Sequence, residues 1–397
     1  MSELPVVIVG AAMGGLRTAE SLRRAGYSGG IRVFGDELHL PYNRPPLSKD
    51  VLSTGVTHEA VAFPARAETA DVEWMLGSRI ASADLEAHTV TTADGHEHPW
   101  RALVAATGLR PRRLPLPEAP GRHAIRSLDD AMALRSELVP GARVVVIGSG
   151  FLGCELAATA TKLGTSVTVV TPSAEPMIRP LGELLAGELR RRLEGEGVRF
   201  ALGAEVTALD DGVSLADGTV LPADVIVEAI GSDCNTDWLS GTDLDLSDGV
   251  LADNALRAVA VDGSSRDDVY VVGDIARFPN PLFDDVARRI EHWNIPTDTG
   301  RRAGAVLGGW LAGDRSAADL KFTPMPSFWS NQFEIKVQAY GLPGLADPDG
   351  IRILEGELTG DVAIGYHRGD RLVGVVGVGL KAALLPYRQQ IAAGGVG

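Results

Sequence analysis

Val6–Glu20 reads VVIVGAAMGGLRTAE, and Val144–Ala158 reads VVVIGSGFLGCELAA. Each stretch opens on four β-branched residues, turns through glycines and enters helical spacing. A short continuous apolar run of this kind is a strand buried on both faces. In the pattern G-x-G-x-x-G the first glycine permits the tight turn and the second lets the backbone approach a pyrophosphate. The third lets the helix pack against the strand. Free N–H groups at the helix start then favour phosphate oxygens. One such pattern is a weak signal, whereas two copies, each between a strand and a helix, point to two dinucleotide cradles. The second copy is complete, with Gly148, Gly150 and Gly153. The first has Gly10 and Gly15 but Ala12 in the middle, where the extra Cβ is expected to push a pyrophosphate away slightly or force a backbone shift, leaving the site retained but loosened.

Outward from the first cradle, a second strand is expected over Ile31–Glu37. Asp36 or Glu37 then stands about 20 residues past the glycines, where an acidic group grips ribose hydroxyls. A buried strand at Leu103–Ala106 ends in a turn at Thr107–Gly108. The following RPRRLPLPEAP has linker composition. Beyond the second cradle, SVTVV forms the next strand and ends at Thr171, with no carboxylate at the ribose position. Arg179, farther on, either meets a 2′-phosphate or is an ordinary exposed cation. A late strand ends in a turn at Gly231, another ends at Gly273–Asp274, and a helix is expected near Thr297–Leu311. Alternating strands and helices argue for parallel sheets and an α/β fold. From about Leu320 the pattern changes to hairpins plus one helix, a separate C-terminal α+β domain.

The 397 residues include 37 Lys and Arg against 52 Asp and Glu, a net charge of −15. That sign repels a phosphate backbone and argues against nucleic-acid binding. No run approaches about 18 apolar residues, so no membrane span is expected. With no basic, apolar leader at the start, a cytoplasmic protein is expected. The two cysteines, Cys154 and Cys234, form neither a disulfide framework nor a C-x-x-C pair. His96 and His98 in GHEHP are read as a solvated turn, and no residues have metal-ligand spacing.

Further motifs follow in order: LPYNRPPLSKDVL at Leu40–Leu52, AATG at Ala105–Gly108, YVVGDIARFPNPL at Tyr270–Leu282, EHW at Glu291–Trp293 and FWS at Phe328–Ser330. With the two cradles, this set resembles the FAD-dependent NAD(P)H:ferredoxin reductases of bacterial oxygenase and cytochrome P450 systems, the putidaredoxin reductase-like family. Apoptosis-inducing factor is a more distant likeness. The resemblance spans nearly the whole chain.

It implies a glutathione-reductase-like fold. An FAD-binding domain is formed by residues 1–107 and 236–316, an NAD(P)-binding domain by 108–235, and a C-terminal α+β domain by 317–397. The first cradle is thereby assigned to FAD and the second to NADH, with NADPH not excluded. By the same matching Asp36 binds the adenosine ribose, Arg44 and Lys49 lie near the flavin and its phosphates, and Thr107 and Arg126 are further FAD contacts. Asp274 meets the ribityl or phosphate region. Gly231, Glu291, His292, Trp293 and Trp329 complete the cofactor site, the two indoles beside the isoalloxazine. Glu155 pairs with Lys49 near the nicotinamide, and these two are the candidate catalytic residues.

The implied activity is hydride transfer from NADH to flavin N5, followed by single-electron transfer to an iron–sulfur ferredoxin that supplies a cytochrome P450 or other oxygenase. The rival expectations are an NAD(P)H oxidase or quinone reductase, and an NADH-sensing, redox-regulated binding protein. A monomer or weak dimer is expected. Ferredoxins of this kind are acidic, so docking on this acidic chain calls for a local basic patch. Arg277, Arg288, Arg289, Arg301 and Arg302 are the candidates.

Overall fold

The computed structural model describes residues 4–210 and 212–394. Val6–Val9, wholly buried, forms a central strand because a β-branched run fits a sheet covered on both faces. It pairs in parallel with Ile31–Phe34 on one side and Ala102–Ala105 on the other. Glu73–Met75 closes one end of this six-stranded sheet. At the other end Ser265–Val271, from much later in the chain, pairs in parallel with Ala102–Ala105, and Arg257–Val259 lies outside it. The first sheet is therefore built from two separated stretches of sequence.

The second sheet has five parallel strands in the order Arg199–Leu202, Ser166–Thr171, Arg143–Ile147, Val225–Glu228, Arg122–His123. The chain leaves the first sheet and returns to it along one ribbon, in which Leu109–Pro111 pairs antiparallel with Ser232–Cys234. The segment expected as a plain linker is pinned. Leu114 N–H donates to Glu228 at 2.7 Å, and Arg122, itself buried, donates to the same carboxylate at 2.9 Å.

The helix Met13–Arg24 of the first cradle packs against the helix Ile295–Leu311 through a row of glycines. A Cβ added at Gly300 would lie 2.8 Å from the carbonyl of Gly14, one at Gly304 would lie 2.5 Å from the Cβ of Ser21, and one at Gly308 would lie 2.5 Å from that of Ala25, which caps the opposing helix. The C-terminal part is a five-stranded antiparallel sheet with the helix Leu384–Ala393 beside it, as the hairpin pattern predicts. Three local readings need correction. The second strand stops at Phe34, since Gly35 and Asp36 already turn toward the cleft. The late helix begins at Ile295, where Pro296 suits the first turn. His98 belongs to the strand Glu97–Pro99 and meets the Phe34 ring at a tilt, centroids 4.8 Å apart, leaving only His96 in the exposed turn. Among the described residues no helix is long and apolar enough to cross a membrane, and no cluster of three metal-ligating side chains forms.

Candidate functional site

The two cradles share one backbone geometry. Gly10 has φ +125° and Gly148 φ +106°, a region that excludes other side chains. A Cβ at Gly10 would lie 2.1 Å from the Ala106 carbonyl oxygen, and one at Gly148 would lie 2.3 Å from that of Ala229. Gly15 and Gly153 have no room either, because a Cβ there would lie 2.2 and 2.1 Å from the carbonyls of Gly10 and Gly148. The middle position differs. Ala12 (φ −120°, ψ −162°) and Gly150 (φ −71°, ψ −177°) are both extended N-cap residues, a conformation open to alanine. Ala12 therefore causes no backbone strain, and its methyl matters only to whatever fills the cleft. Neither helix has a side-chain cap, so the first-turn N–H groups remain for a ligand.

Two cavities, of 370 and 880 Å³, meet at a neck formed by Ala12, Arg44, Ala106, Gly108 and Arg126. The larger runs past Gly10, Thr107 and Asp36. Glu37 is already engaged: it accepts from Arg44 at 2.5 Å and from the Tyr42 hydroxyl at 2.6 Å. Asp36, exposed in the cavity wall, is thus the carboxylate left for a ribose. Thr107 donates its hydroxyl to the Asn235 carbonyl at 2.5 Å, and its own carbonyl accepts from Asn235 Nδ2 at 3.1 Å. Its side chain thus staples the two crossing strands as well as lining the cavity.

The neck asks for an anion. Burial and the neighbouring Arg44 lower the proton affinity of Arg126, and Asp274 opposes them. The ion pair between Arg126 and Asp274 is long, at 3.4 Å, and burial pushes the Asp274 carboxyl upward against the pull of Arg126. Two guanidiniums beside an uncapped helix start suit a pyrophosphate, and the cavities on either side suit the two halves of a flavin dinucleotide. The residues present therefore fit FAD.

The smaller cavity is where three parts of the chain meet. Pro45–Ser48 is a short 3₁₀ turn that sets Lys49, whose Nζ lies 2.5 Å from Glu155 Oε2. Glu155, buried in the second cradle helix, also accepts from Ser48 at 2.7 Å and, on its other oxygen, from Ser330 at 2.7 Å. Ser330 belongs to the C-terminal sheet. Ser48 and Ser330 lie within the motifs RPPLSK and FWS, where neither serine carries a signal of its own. Each stands beside a residue with the stronger signal, the charge of Lys49 or the ring of Trp329.

Glu291, His292, Trp293 and Trp329 line the same cavity. The indoles of Trp293 and Trp329 meet edge-on at 5.1 Å, and Trp293 Nε1 donates to Asn43 at 3.1 Å. His292 is half-buried, yet its Nδ1 is sealed from solvent without a partner, and burial lowers its pKa to about 4. Cys154 is a fully buried thiol pushed up to about 12 by burial. Gly148, Gly150, Thr171 and Gly231 stand around the second cradle. Thr171 is the buried last residue of its strand, and Gly231 (φ +98°) turns the chain back toward the ribbon.

The basic patch does not form as expected. Arg277 pairs with Asp245 at 2.7 Å, Arg288 pairs with Asp284, and Arg289 pairs with Asp248 at 2.6 Å and Glu291 at 2.7 Å. Arg302 donates to backbone carbonyls, including Leu320 at 2.6 Å. Local acids and carbonyls use these cations, and Arg301 alone does not make a patch.

Two dinucleotide cradles opening on one ring-sized cavity define an oxidoreductase that couples two nucleotide cofactors. The chain belongs to the pyridine nucleotide-disulphide oxidoreductase family, whose model matches residues 4–300, and a reductase C-terminal model matches 327–396. It is a flavoprotein oxidoreductase. It is 33% identical to rhodocoxin reductase of Rhodococcus erythropolis over 94% of this chain and 86% of that one. It is 31% identical to the rubredoxin-NAD(+) reductase of Pseudomonas putida over 99% of both chains. The reductase in a covalent putidaredoxin reductase–putidaredoxin complex superposes with a TM-score of 0.89 at 28% identity, covering 99% of this chain and 94% of that one.

Proposed function

We propose that the chain is an FAD-dependent reductase that takes electrons from NADH and passes them singly to a ferredoxin-type iron–sulfur protein serving an oxygenase or cytochrome P450. One observation carries the reading. The start of the first cradle helix (Ala12, Met13) and that of the second (Phe151, Leu152, Glu155) line the same cavity. A dinucleotide held by each cradle brings its redox ring to that place. We propose the corresponding division of the chain: 1–107 with 236–316 around FAD, 108–235 around the nicotinamide dinucleotide, and 317–397 as the part that carries Ser330 and Trp329.

FAD, when bound, supplies the chemistry of accepting an electron pair and releasing it one electron at a time. The chain's own residues set the stage. Asp36 accepts from ribose hydroxyls, and Arg44 and Arg126 hold the pyrophosphate. Lys49 places a fixed positive charge beside the ring cavity, oriented by Glu155 through the 2.5 Å contact. Ser48 and Ser330 fix the Glu155 carboxylate by donating to both its oxygens. His292 stays neutral near pH 7, so its unpartnered nitrogen offers a hydrogen bond without adding charge. Trp293 and Trp329 shield the ring edge from water. The rhodocoxin, rubredoxin and putidaredoxin relatives support the one-electron partner.

The test is direct. The purified protein is yellow with one FAD per chain, NADH bleaches it anaerobically, and cytochrome c reduction requires an added ferredoxin. A protein that holds no flavin, or that reduces oxygen or quinone as fast without ferredoxin as with it, overturns the reading.

A further inference from the structure

This inference rests on the reading that a reduced nicotinamide dinucleotide occupies the second cradle. We infer that this cradle does not read the 2′ position of the adenosine ribose, so that NADPH is accepted comparably with NADH, and that Thr171 sets this tolerance. In a strand–turn–helix cradle the ribose lies over the end of the second strand. A carboxylate there accepts a hydrogen bond from the 2′-hydroxyl and repels a 2′-phosphate.

Here that strand is Ser166–Thr171, and its last residue is neutral. The residues after Thr171 are tied down. Ser173 N–H donates to Thr171 Oγ1 at 3.2 Å, Ala204 N–H donates to the Thr171 carbonyl at 2.9 Å, and Met177 N–H donates to the Ser149 carbonyl in the cradle turn at 2.8 Å. The loop is therefore not free to swing a distant acid over the ribose.

The first carboxylate after the strand, Glu175, is spent on Arg190 at 2.7 Å. Arg190 is in turn held by Glu194 at 3.0 Å, so this pair offers neither a free acid nor a free cation. Arg179 is exposed at the start of the following helix, where nothing fixes it toward a 2′-phosphate. Among the described residues, then, no free carboxylate and no fixed cation stands at the end of this strand. The missing carboxylate removes a charge-assisted bond worth about ten- to a hundredfold in affinity for NADH, and with it the repulsion of NADPH.

The experiment titrates the FAD-loaded protein with the tetrahydronicotinamide forms of NADH and NADPH, which bind without reducing the flavin, and reads Kd from flavin absorbance and calorimetry. The two Kd values are expected to agree within about tenfold, and a larger ratio in either direction overturns the inference. Thr171→Glu should raise the NADH-to-NADPH preference at least about tenfold, while Thr171→Gln, of the same length without the charge, leaves it within about threefold. A Thr171→Glu ratio equal to that of the parent overturns the role of Thr171. The parent ratio decides the main point even where a variant does not fold. If neither dinucleotide binds, the reading of the second cradle itself fails, which is a different result from a strong preference for one of them.

Discussion

At the scale of single residues, the first cradle divides its positions by what the backbone demands. Gly10 sits in a positive-φ conformation where a Cβ would lie 2.1 Å from the Ala106 carbonyl oxygen, whereas Ala12 occupies an extended conformation that any residue adopts. Gly10→Ala should therefore destabilise the protein by at least about 3 kcal/mol, or release its flavin, as followed by urea unfolding and flavin retention. Ala12→Gly should leave stability within about 1 kcal/mol and shift the FAD Kd by less than about tenfold. His292 gives a pH signature. Its folded-state pKa, lowered by burial to about 4, lies below the ordinary value of about 6.5, so the unfolded chain binds the extra proton first. Stability is then full above about pH 6.5 and falls as pH drops toward 4, by about 2 kcal/mol between pH 7 and pH 5. Unfolding curves of His292→Gln should lack that share of the loss.

At the scale of elements, the cradles were legible because strand, turn and helix each left their own mark. β-branched runs, glycines at fixed offsets and helical spacing agree over Val6–Arg24 and again over Arg143–Lys162. The contact that locks the first cradle helix in place was not legible. Gly300, Gly304 and Gly308 fall on one face of the helix Ile295–Leu311 at a four-residue spacing. Such a row has meaning only once the partner helix is known, and the two helices are separated by most of the chain. A Cβ at Gly304 would lie 2.5 Å from that of Ser21 and 2.7 Å from the Thr18 carbonyl, so neither neighbour is a flexible tip that can move aside. Gly304→Val should cost about 2–4 kcal/mol by urea unfolding and weaken FAD retention, because the cradle helix must shift to admit the branch. Gly195→Ala, at a helix end with open space around it, should change stability by less than about 1 kcal/mol. Equal effects at the two sites would show that helix–helix approach is not what the glycine row secures.

At the scale of the whole molecule, the organisation of the sheets followed from the repeated cradle, but the charge pattern of the surface did not. A run of arginines around EHW looks basic in one dimension because two of the acids that neutralise it, Asp245 and Asp248, come from an earlier part of the chain, while Asp284 and Glu291 are close in sequence but reach Arg288 and Arg289 only through the local fold. Sequence shows only neighbours along the chain, whereas the field at a surface sums neighbours in space. Lys49, Glu155 and Ser330 show the same limit from the other side. Their meeting requires the first sheet, the second cradle and the C-terminal sheet together, and only the Lys49–Glu155 pair was anticipated. The paired arginines have a kinetic consequence for an acidic ferredoxin approaching a chain of net charge −15. With Arg277, Arg288 and Arg289 paired, this stretch supplies no cluster of free cations to steer encounter, so added salt is expected to screen repulsion by the net charge rather than a local attraction. The second-order rate of ferredoxin reduction should stay flat or rise by up to about threefold between roughly 0.02 and 0.3 M salt. Stopped-flow or coupled cytochrome c assays measure this, and a steep fall with salt would mean that free cations gather on a face formed by residues other than those paired arginines.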